Sequence, residues 1–448
     1  MTDTDAALTE FMEAHDARNP GEPEFRQAVE DVARSVMPWY VTQDRMRRRQ
    51  VLERLTEPDR TVSFRVPWEA DDGSVRFNRG WRVQFSQVMG PYKGGLRFAP
   101  SVNQSVLKFL GFEQIFKNTL TGLPMGGAKG GADFDPKEAS EAELRRFCHA
   151  FMDELYRHIG PDVDVPAGDM GVGMDEISLM FGRYLTLKNT WHGALTGKGS
   201  TFGGSAVRTE ATGYGCVYFA ELMLERLDRS IEDARVAISG SGNVALYAAE
   251  KALDEGATVV TLSDSGGTLV FDDGLDRDTL ETVKTRKGDG ARLSELADET
   301  GGSYRDGAAP WGEQCDIALP CATQNEMDGD AAKALADNGV WLVCEGANMP
   351  LTSDAAQALR DAGIPRGPGK ASNAGGVAVS GLEESQNAQR LYWSRDEVDR
   401  KLRDIMRGIH DDCLEVADGH ADDMDYVTCA NLAAFQRVSR ALDAFWVF

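Results

Sequence analysis

The sequence predicts an α/β chain of two domains, the first with a mixed sheet and the second with a doubly wound parallel sheet. Three observations carry that expectation. The 448 residues exceed the size at which a single hydrophobic core keeps growing. The first hundred residues mix helical and alternating apolar spacing. From about residue 206, short apolar runs alternate with helical patterns, the signature of parallel strands joined by helical crossovers.

The elements follow in order along the chain. "FRQAVEDVARSVMPWY" has apolar positions at helical spacing, and "TVSFRVPWEADDGSVRFNRGWRVQFSQ" alternates on both sides of an Asp-Asp-Gly turn, as a hairpin does. "VLKFLGFEQIFKNTL" is helical by periodicity. "TGLPMGGAKGGADFDP", residues 121–136, is expected to form a glycine-rich loop after it. "ATGYGCVYFAELMLERL" reads as a helix, and "RVAISGSGNVALYAAEKALDEGATVVTLSDS" as strand, glycine turn, helix and strand. "CDIALPCAT" and "GVWLVCEGAN" are short β-prone runs on either side of the helical "AAKALADNG". "DEVDRKLRDIMRGIHDDCLEVA" and "ANLAAFQRVSRALDAF" are the closing helices. The change of texture puts the domain boundary near residue 205, so that the first domain is residues 1–205 and the second, expected to be 206–424, follows it, with a cleft between them.

Composition excludes several function classes. A formal net charge of −24 opposes nucleic acid or an anionic membrane as partner, because no basic stripe offsets the long-range repulsion. The acidic start "MTDTDAALTEFMEAHDARNP" has no apolar h-region, and no uninterrupted apolar run of about 18 residues follows, so a cytoplasmic protein is expected. The 7 cysteines contain no C-x-x-C pair and are odd in number, which suits buried thiols in a reducing compartment. The 6 histidines show no ligand spacing, so no metal site is expected.

Gly240-Ser241-Gly242-Asn243-Val244-Ala245 has G-x-G-x-x-A spacing between the strand "RVAIS" and a helix, and the next strand ends at Ser263-Asp264-Ser265. In that context the pattern is a dinucleotide fingerprint: glycine permits the turn, and the helix N-terminus favours the pyrophosphate. Asp264 could accept from the ribose hydroxyl of NAD. Ser263 and Ser265 flank it, however, and Lys284, Arg286 and Lys287 form a basic cluster able to hold the 2′-phosphate of NADP, which is the favoured cofactor.

Only 13 of the 48 basic residues are lysine, yet Lys93, Lys108, Lys117 and Lys129 fall within 37 consecutive residues. Gln114 and Lys117 share a helix face, whereas Lys108 points away and is expected at the surface. Lys93 precedes a glycine pair that is expected to let a ligand approach the backbone. Lys129 stands between glycine pairs, expected to let it enter a narrow cleft where burial beside other cations lowers its pKa toward a range useful for proton transfer. Asp169 in "DVPAGDMGVG" is a suitable carboxylate partner. The joint pattern indicates hydride transfer on a multiply charged small acid. A lysine of depressed pKa also suits a Schiff base with pyridoxal phosphate or a sugar, which leaves the dinucleotide fingerprint idle. A non-catalytic paralogue is a further class; it predicts loss of Lys129 or Asp169, and both are present.

The chain resembles the hexameric glutamate dehydrogenase family in its bacterial form, within the wider Glu/Leu/Phe/Val dehydrogenases. The motifs that carry the resemblance are "GPYKGGLRF", "LKFLGFEQIFKN", "LPMGGAKGG", "DVPAGDMGVG", "ATGYG", "SGSGNVA", "ALPCATQNE", "EGANMP" and "NAGGVAVSGLEESQN". It implies a Rossmann-type second domain and interconversion of L-glutamate with 2-oxoglutarate and ammonium, with NADP or, as the alternative, NAD. In the resemblance Lys129 activates water and polarises the carbonyl, while Asp169, after Gly168 in the substrate site, shuttles protons. Gln114 and Lys117 match the α-carboxylate positions, and Lys93 and Ser380 the γ-carboxylate pair, with Arg208 a further candidate nearby. Thr212, Asn348 and Asn373 match positions near the nicotinamide and ribose, and Lys137 a lysine that reaches the cofactor phosphate. A helix of about 425–448 returning to the first domain and a D3 homohexamer are also implied. The sister enzymes for leucine, valine and phenylalanine need an apolar pocket, where a cation at 93 and a hydroxyl at 380 would be misplaced.

Overall fold

The computed structural model describes residues 3–417 and 425–446. Residues 418–424 and 447–448, on which the expected limits at 424 and 448 fall, lie outside the described residues. The chain divides into two compact units. One comprises Met1–Arg208, Val379–Val398 and Asn431–Phe448, and the other Thr209–Ala378 and Asp399–Ala430. Residues 379–398 group with the first unit because their polar side chains bond there: Gln386 donates to Ser205 Oγ at 2.8 Å and Asn387 to Gly203 O at 2.7 Å.

The first unit is built on five strands, β1 (Arg60–Glu69), β2 (Val75–Ser86), β3 (Tyr92–Phe98), β4 (Gly127–Ala132) and β5 (Asp164–Gly168), in the order β1-β2-β4-β3-β5. β1, β2 and β4 pair antiparallel, while β3 runs parallel to β4 and β5, so the sheet is mixed. The hairpin closes where Ser74 N donates to Asp72 Oδ1 at 2.8 Å and Gly73 takes φ +79°. The helix Gln104–Leu120 starts at Asn103, whose side chain accepts from Val106 N. An aromatic core of Trp68, Phe98, Phe134, Phe147 and Phe151 closes one part of this unit, with Phe134 and Phe147 stacked at 3.8 Å.

The expected loop at 121–136 contains strand β4. Its glycines do not open space around Lys129. A Cβ on Gly127 would stand 2.4 Å from Ile115 Cγ1 of the overlying helix, and one on Gly130 2.8 Å from Trp81 O. The glycines let a helix and neighbouring strands close down on the lysine. Of the glycine pair after Lys93, Gly94 has the same use: a Cβ there would meet Ala128 O of β4 at 1.7 Å. Lys108 is also not a surface residue; it is buried, ion-paired to Glu22 and set 4.5 Å from the Phe25 ring centroid.

The second unit has seven strands, β6 (Arg235–Ile238), β7 (Thr258–Asp264), β8 (Gly267–Val270), β9 (Ser303–Asp306), β10 (Ile317–Leu319), β11 (Leu342–Cys344) and β12 (Arg366–Gly367). Their order is β12-β11-β10-β6-β7-β8-β9. From β12 to β7 all pairs are parallel, as the alternation predicts. β8 and β9, absent from the sequence reading, add an antiparallel edge. All seven cysteines are buried and free. Among the described residues no helix is long and apolar enough to cross a membrane.

Candidate active site

In the first unit the site is assembled at β3, β4 and the end of β5. Beneath it lies an ion pair with no exposed side-chain surface: Arg82 of β2 meets Asp164 of β5 through Nε at 2.9 Å and Nη2 at 2.5 Å. Arg82 Nη1 also donates to Gly94 O at 3.0 Å, and Gln84 Nε2 to Asp164 Oδ2 at 2.9 Å, so β2, β3 and β5 are fastened together.

On that platform Lys129 Nζ lies 3.3 Å from Asp169 Oδ1, and Arg97 Nε donates to Asp169 Oδ2 at 2.7 Å. Burial lowers the Lys129 pKa; Asp169 opposes the shift, and Arg97 and Arg82 reinforce it. Burial pushes the Asp169 carboxyl up, but Lys129 and Arg97 outweigh it and hold it below its ordinary value. Space for the pair comes from Gly95, where a Cβ would stand 2.8 Å from Asp169 Cβ and 3.2 Å from Lys129 Nζ. Gly168 ends β5, and a Cβ there would meet Val172 O at 2.5 Å, so it serves the tight turn presenting Asp169.

Burial, then the nearby Lys129 charge, lowers the Lys117 pKa to about 8, and Asp169 and Arg208 also act on it. Gln114 lies one turn earlier and donates to Asn118 Oδ1 at 2.7 Å; Asn118 in turn donates to Lys93 O at 3.1 Å. Lys93 is buried, donates to Thr196 Oγ1 and sits 3.2 Å from Glu384 Oε1. Its pKa is lowered by burial, against Glu384 and Glu383, with Arg208 adding to the lowering. Arg208 therefore acts on both Lys93 and Lys117. Ser380 is buried one turn before Glu384 on the helix Gly375–Gln389, on the same face.

Among the contributors that escaped the sequence reading are Arg82, Arg97, Asn118, Thr196, Glu383 and Glu384. Arg97 had a signal, since Lys93, Gly95 and Arg97 share one face of a strand by period-two spacing. Thr196 had none, because only the tertiary fold brings it to Lys93.

In the second unit the G-x-G-x-x-A turn joins β6 to the helix Asn243–Asp254. Gly240 takes φ +92°, and its N–H donates to Ser263 Oγ at 2.9 Å. Gly242 caps the helix, and a Cβ there would meet nothing within 4 Å, so Ser241, Gly242, Asn243 and Val244 form an open helix N-terminus that fits a dinucleotide pyrophosphate. Asn373 Nδ2 donates to Asn348 Oδ1 at 3.0 Å, so these two predicted positions are in contact. Thr212 opens the helix Ala211–Arg226.

The predicted basic cluster is engaged otherwise. Lys284 pairs with Glu250 and with Glu281 at 2.8 Å, and Arg286 with Glu299 at 2.8 Å. Lys287 follows on the same helix, Arg277–Gly288. Asp264 accepts from Gly266 N and Leu293 N, each at 2.9 Å. That brings Arg292, an exposed cation, to the Asp264 turn beside exposed Ser265; Tyr304 feels both the Asp264 and the Arg292 charge. Lys137, in the first unit, is exposed in a turn where its N–H donates to Asp135 Oδ1 at 3.0 Å.

A family model described as Glu/Leu/Phe/Val dehydrogenase, dimerisation domain, matches residues 58–186, and one described as Glutamate/Leucine/Phenylalanine/Valine dehydrogenase matches residues 203–444. The chain belongs to this family. It is 51% identical over 445 residues to the NADP-specific glutamate dehydrogenase of Psychrobacter sp. (strain TAD1), covering 98% of this chain and 99% of that one. It is 52% identical to the NADP-specific glutamate dehydrogenase of Escherichia coli (strain K12), covering 97% and 98%. The crystal structure of Plasmodium falciparum glutamate dehydrogenase superposes with a TM-score of 0.97 at 46% identity, covering 99% of this chain and 96% of that one. A hetero-hexameric glutamate dehydrogenase from Thermus thermophilus gives 0.80 at 28%, covering 92% and 97%.

Proposed function

We propose that this amino-acid dehydrogenase interconverts 2-oxoglutarate and ammonium with L-glutamate, using NADP. The observation that carries the choice of substrate is Lys93, a buried cation separate from the Lys117–Lys129 group in the same unit. A dicarboxylate satisfies both groups, whereas a leucine-like side chain would leave Lys93 facing hydrocarbon. Lys117 and Gln114 receive the α-carboxylate, and Lys93 with Ser380 receives the γ-carboxylate. Arg208 adds positive potential to both.

The chemistry then assigns protons. Asp169, kept ionised by Lys129 and Arg97, takes a proton from the incoming nitrogen. Lys129 hydrogen-bonds the carbonyl oxygen and, because burial has made its ammonium more acid, gives up one of the two protons with which that oxygen leaves as water, the other being the proton that Asp169 took from the nitrogen. The dinucleotide, when bound, supplies the hydride to the α-carbon and takes it back in the reverse direction. In the second unit Gly240 to Val244 hold its pyrophosphate, and Thr212, Asn348 and Asn373 lie with its nicotinamide and ribose. Arg292 joins Ser263 and Ser265 as a candidate for the 2′-phosphate. Lys284 and Arg286 are weaker candidates, being neutralised by Glu250, Glu281 and Glu299. The reading extends to a cytoplasmic homohexamer, supported by the family resemblance, by the relatives' full-length match and, for the oligomer, by the hexameric relative.

Lys93→Leu tests the substrate assignment. The expected result is a KM for 2-oxoglutarate raised by roughly a hundredfold, the scale of a lost charge-assisted hydrogen bond, with dinucleotide affinity retained. Unchanged 2-oxoglutarate kinetics would refute the γ-carboxylate role.

A further inference from the structure

The Lys93 ammonium already has an acid beside it. Glu384 Oε1 stands 3.2 Å from its Nζ as an ion pair, and Thr196 Oγ1 accepts a hydrogen bond from the same ammonium. The neighbouring Glu383 is committed elsewhere. Both its side chain and that of Lys198 are fully buried, and they meet at 2.6 Å, with Glu383 Oε2 also accepting from Gly197 N at 3.0 Å. Glu383 is thus matched by Lys198, and Glu384 is the carboxylate left for Lys93. A substrate carboxylate arriving at Lys93 meets an ion pair of zero net charge.

We propose that Glu384 is a specificity-determining group that competes with the distal carboxylate of the substrate for Lys93, so that a dicarboxylate binds well only when Glu384 takes up a proton or turns away. The proposal rests on the reading of Lys93 as the distal-carboxylate site. Glu384 has room for either response. It keeps 18% of its side chain exposed and lines a cavity of about 340 Å³ that also involves Pro91, Asp162, Trp191, His192 and Arg390. Burial raises the Glu384 pKa, opposed by Lys93 and, more weakly, Lys198, while Glu383 adds to the rise. The titratable and charged groups around it are Lys93 from β3, Glu383 from its own helix, Lys198 from the segment before residue 205, and the cavity residues Asp162, His192 and Arg390. Above its pKa the protonated fraction of Glu384 falls tenfold per pH unit, and the dicarboxylate KM rises with it.

The test compares KM for 2-oxoglutarate and for 2-oxobutyrate, which lacks the distal carboxylate, between pH about 6 and about 9, in the native protein, Glu384→Gln and Glu384→Leu. Glutamine keeps the shape and a hydrogen-bonding head, and leucine gives a second variant should the first fold poorly. Expected is a 2-oxoglutarate KM lower by about tenfold in the variants near pH 8, a gap that narrows toward pH 6, and a 2-oxobutyrate KM that at each pH hardly differs between the native protein and the variants. A 2-oxoglutarate KM that is unchanged overturns the proposal. So does one that rises at every pH, which would make Glu384 the group that keeps Lys93 charged. Failure of the underlying reading is separate: it shows as an unaltered 2-oxoglutarate KM in Lys93→Leu.

Discussion

At the scale of residues, a small set of cations is kept where water is scarce, and each is charged at a cost its neighbours only partly offset. Lys117 is the clearest case, because burial beside Lys129 brings its pKa down to about 8. Its ammonium is the form that holds a carboxylate, so binding through the α-carboxylate is full below about pH 8 and is lost as pH rises through that value. A monocarboxylate isolates this effect from the Lys93 subsite. The KM for 2-oxobutyrate should be flat below about pH 8 and rise about tenfold per unit above it, and Lys117→Gln should raise KM and abolish the bend. A native profile without a bend would remove Lys117 from the site. The lysines were legible in the sequence because lysine is scarce and clustered there. Glu384 was not, because "GLEESQN" contains two adjacent acids and only the fold shows that Lys198 neutralises one and Lys93 faces the other.

At the scale of elements, the first unit depends on strands poor in side chains. "GGAKGG" reads as a loop because glycine has low β-propensity, yet pairing with β2 and β3 imposes a strand. Strand β1 of the hairpin alternates over Val66–Glu69 because one face there is buried, whereas the second half of β2, buried on both faces, shows no such alternation. The Arg82–Asp164 pair then fixes the strands that carry Lys93, Lys129 and Asp169. Arg82→Leu leaves Asp164 buried without its partner, and denaturant unfolding should show a loss of about 3–5 kcal/mol with catalysis impaired. A stability within about 0.5 kcal/mol of native, the range of an ordinary surface substitution, would show that the pair is not needed to hold the strands.

At the scale of the whole molecule, the alternating second half made the parallel sheet and the fingerprint readable, while β8 and β9 escaped notice as short runs between turns. Those strands matter for the cofactor, since the β7–β8 turn holds Asp264 and Ser265, and Leu293 N ties Asp264 to the segment bearing Arg292. The central claim is an NADP-dependent glutamate dehydrogenase. The most direct measurement is the initial rate of reduced-nicotinamide oxidation with 2-oxoglutarate and ammonium, comparing NADPH with NADH at equal concentration. A rate strongly favouring NADPH is predicted; a rate favouring NADH would contradict the cofactor assignment, and no rate with either would contradict the reaction itself.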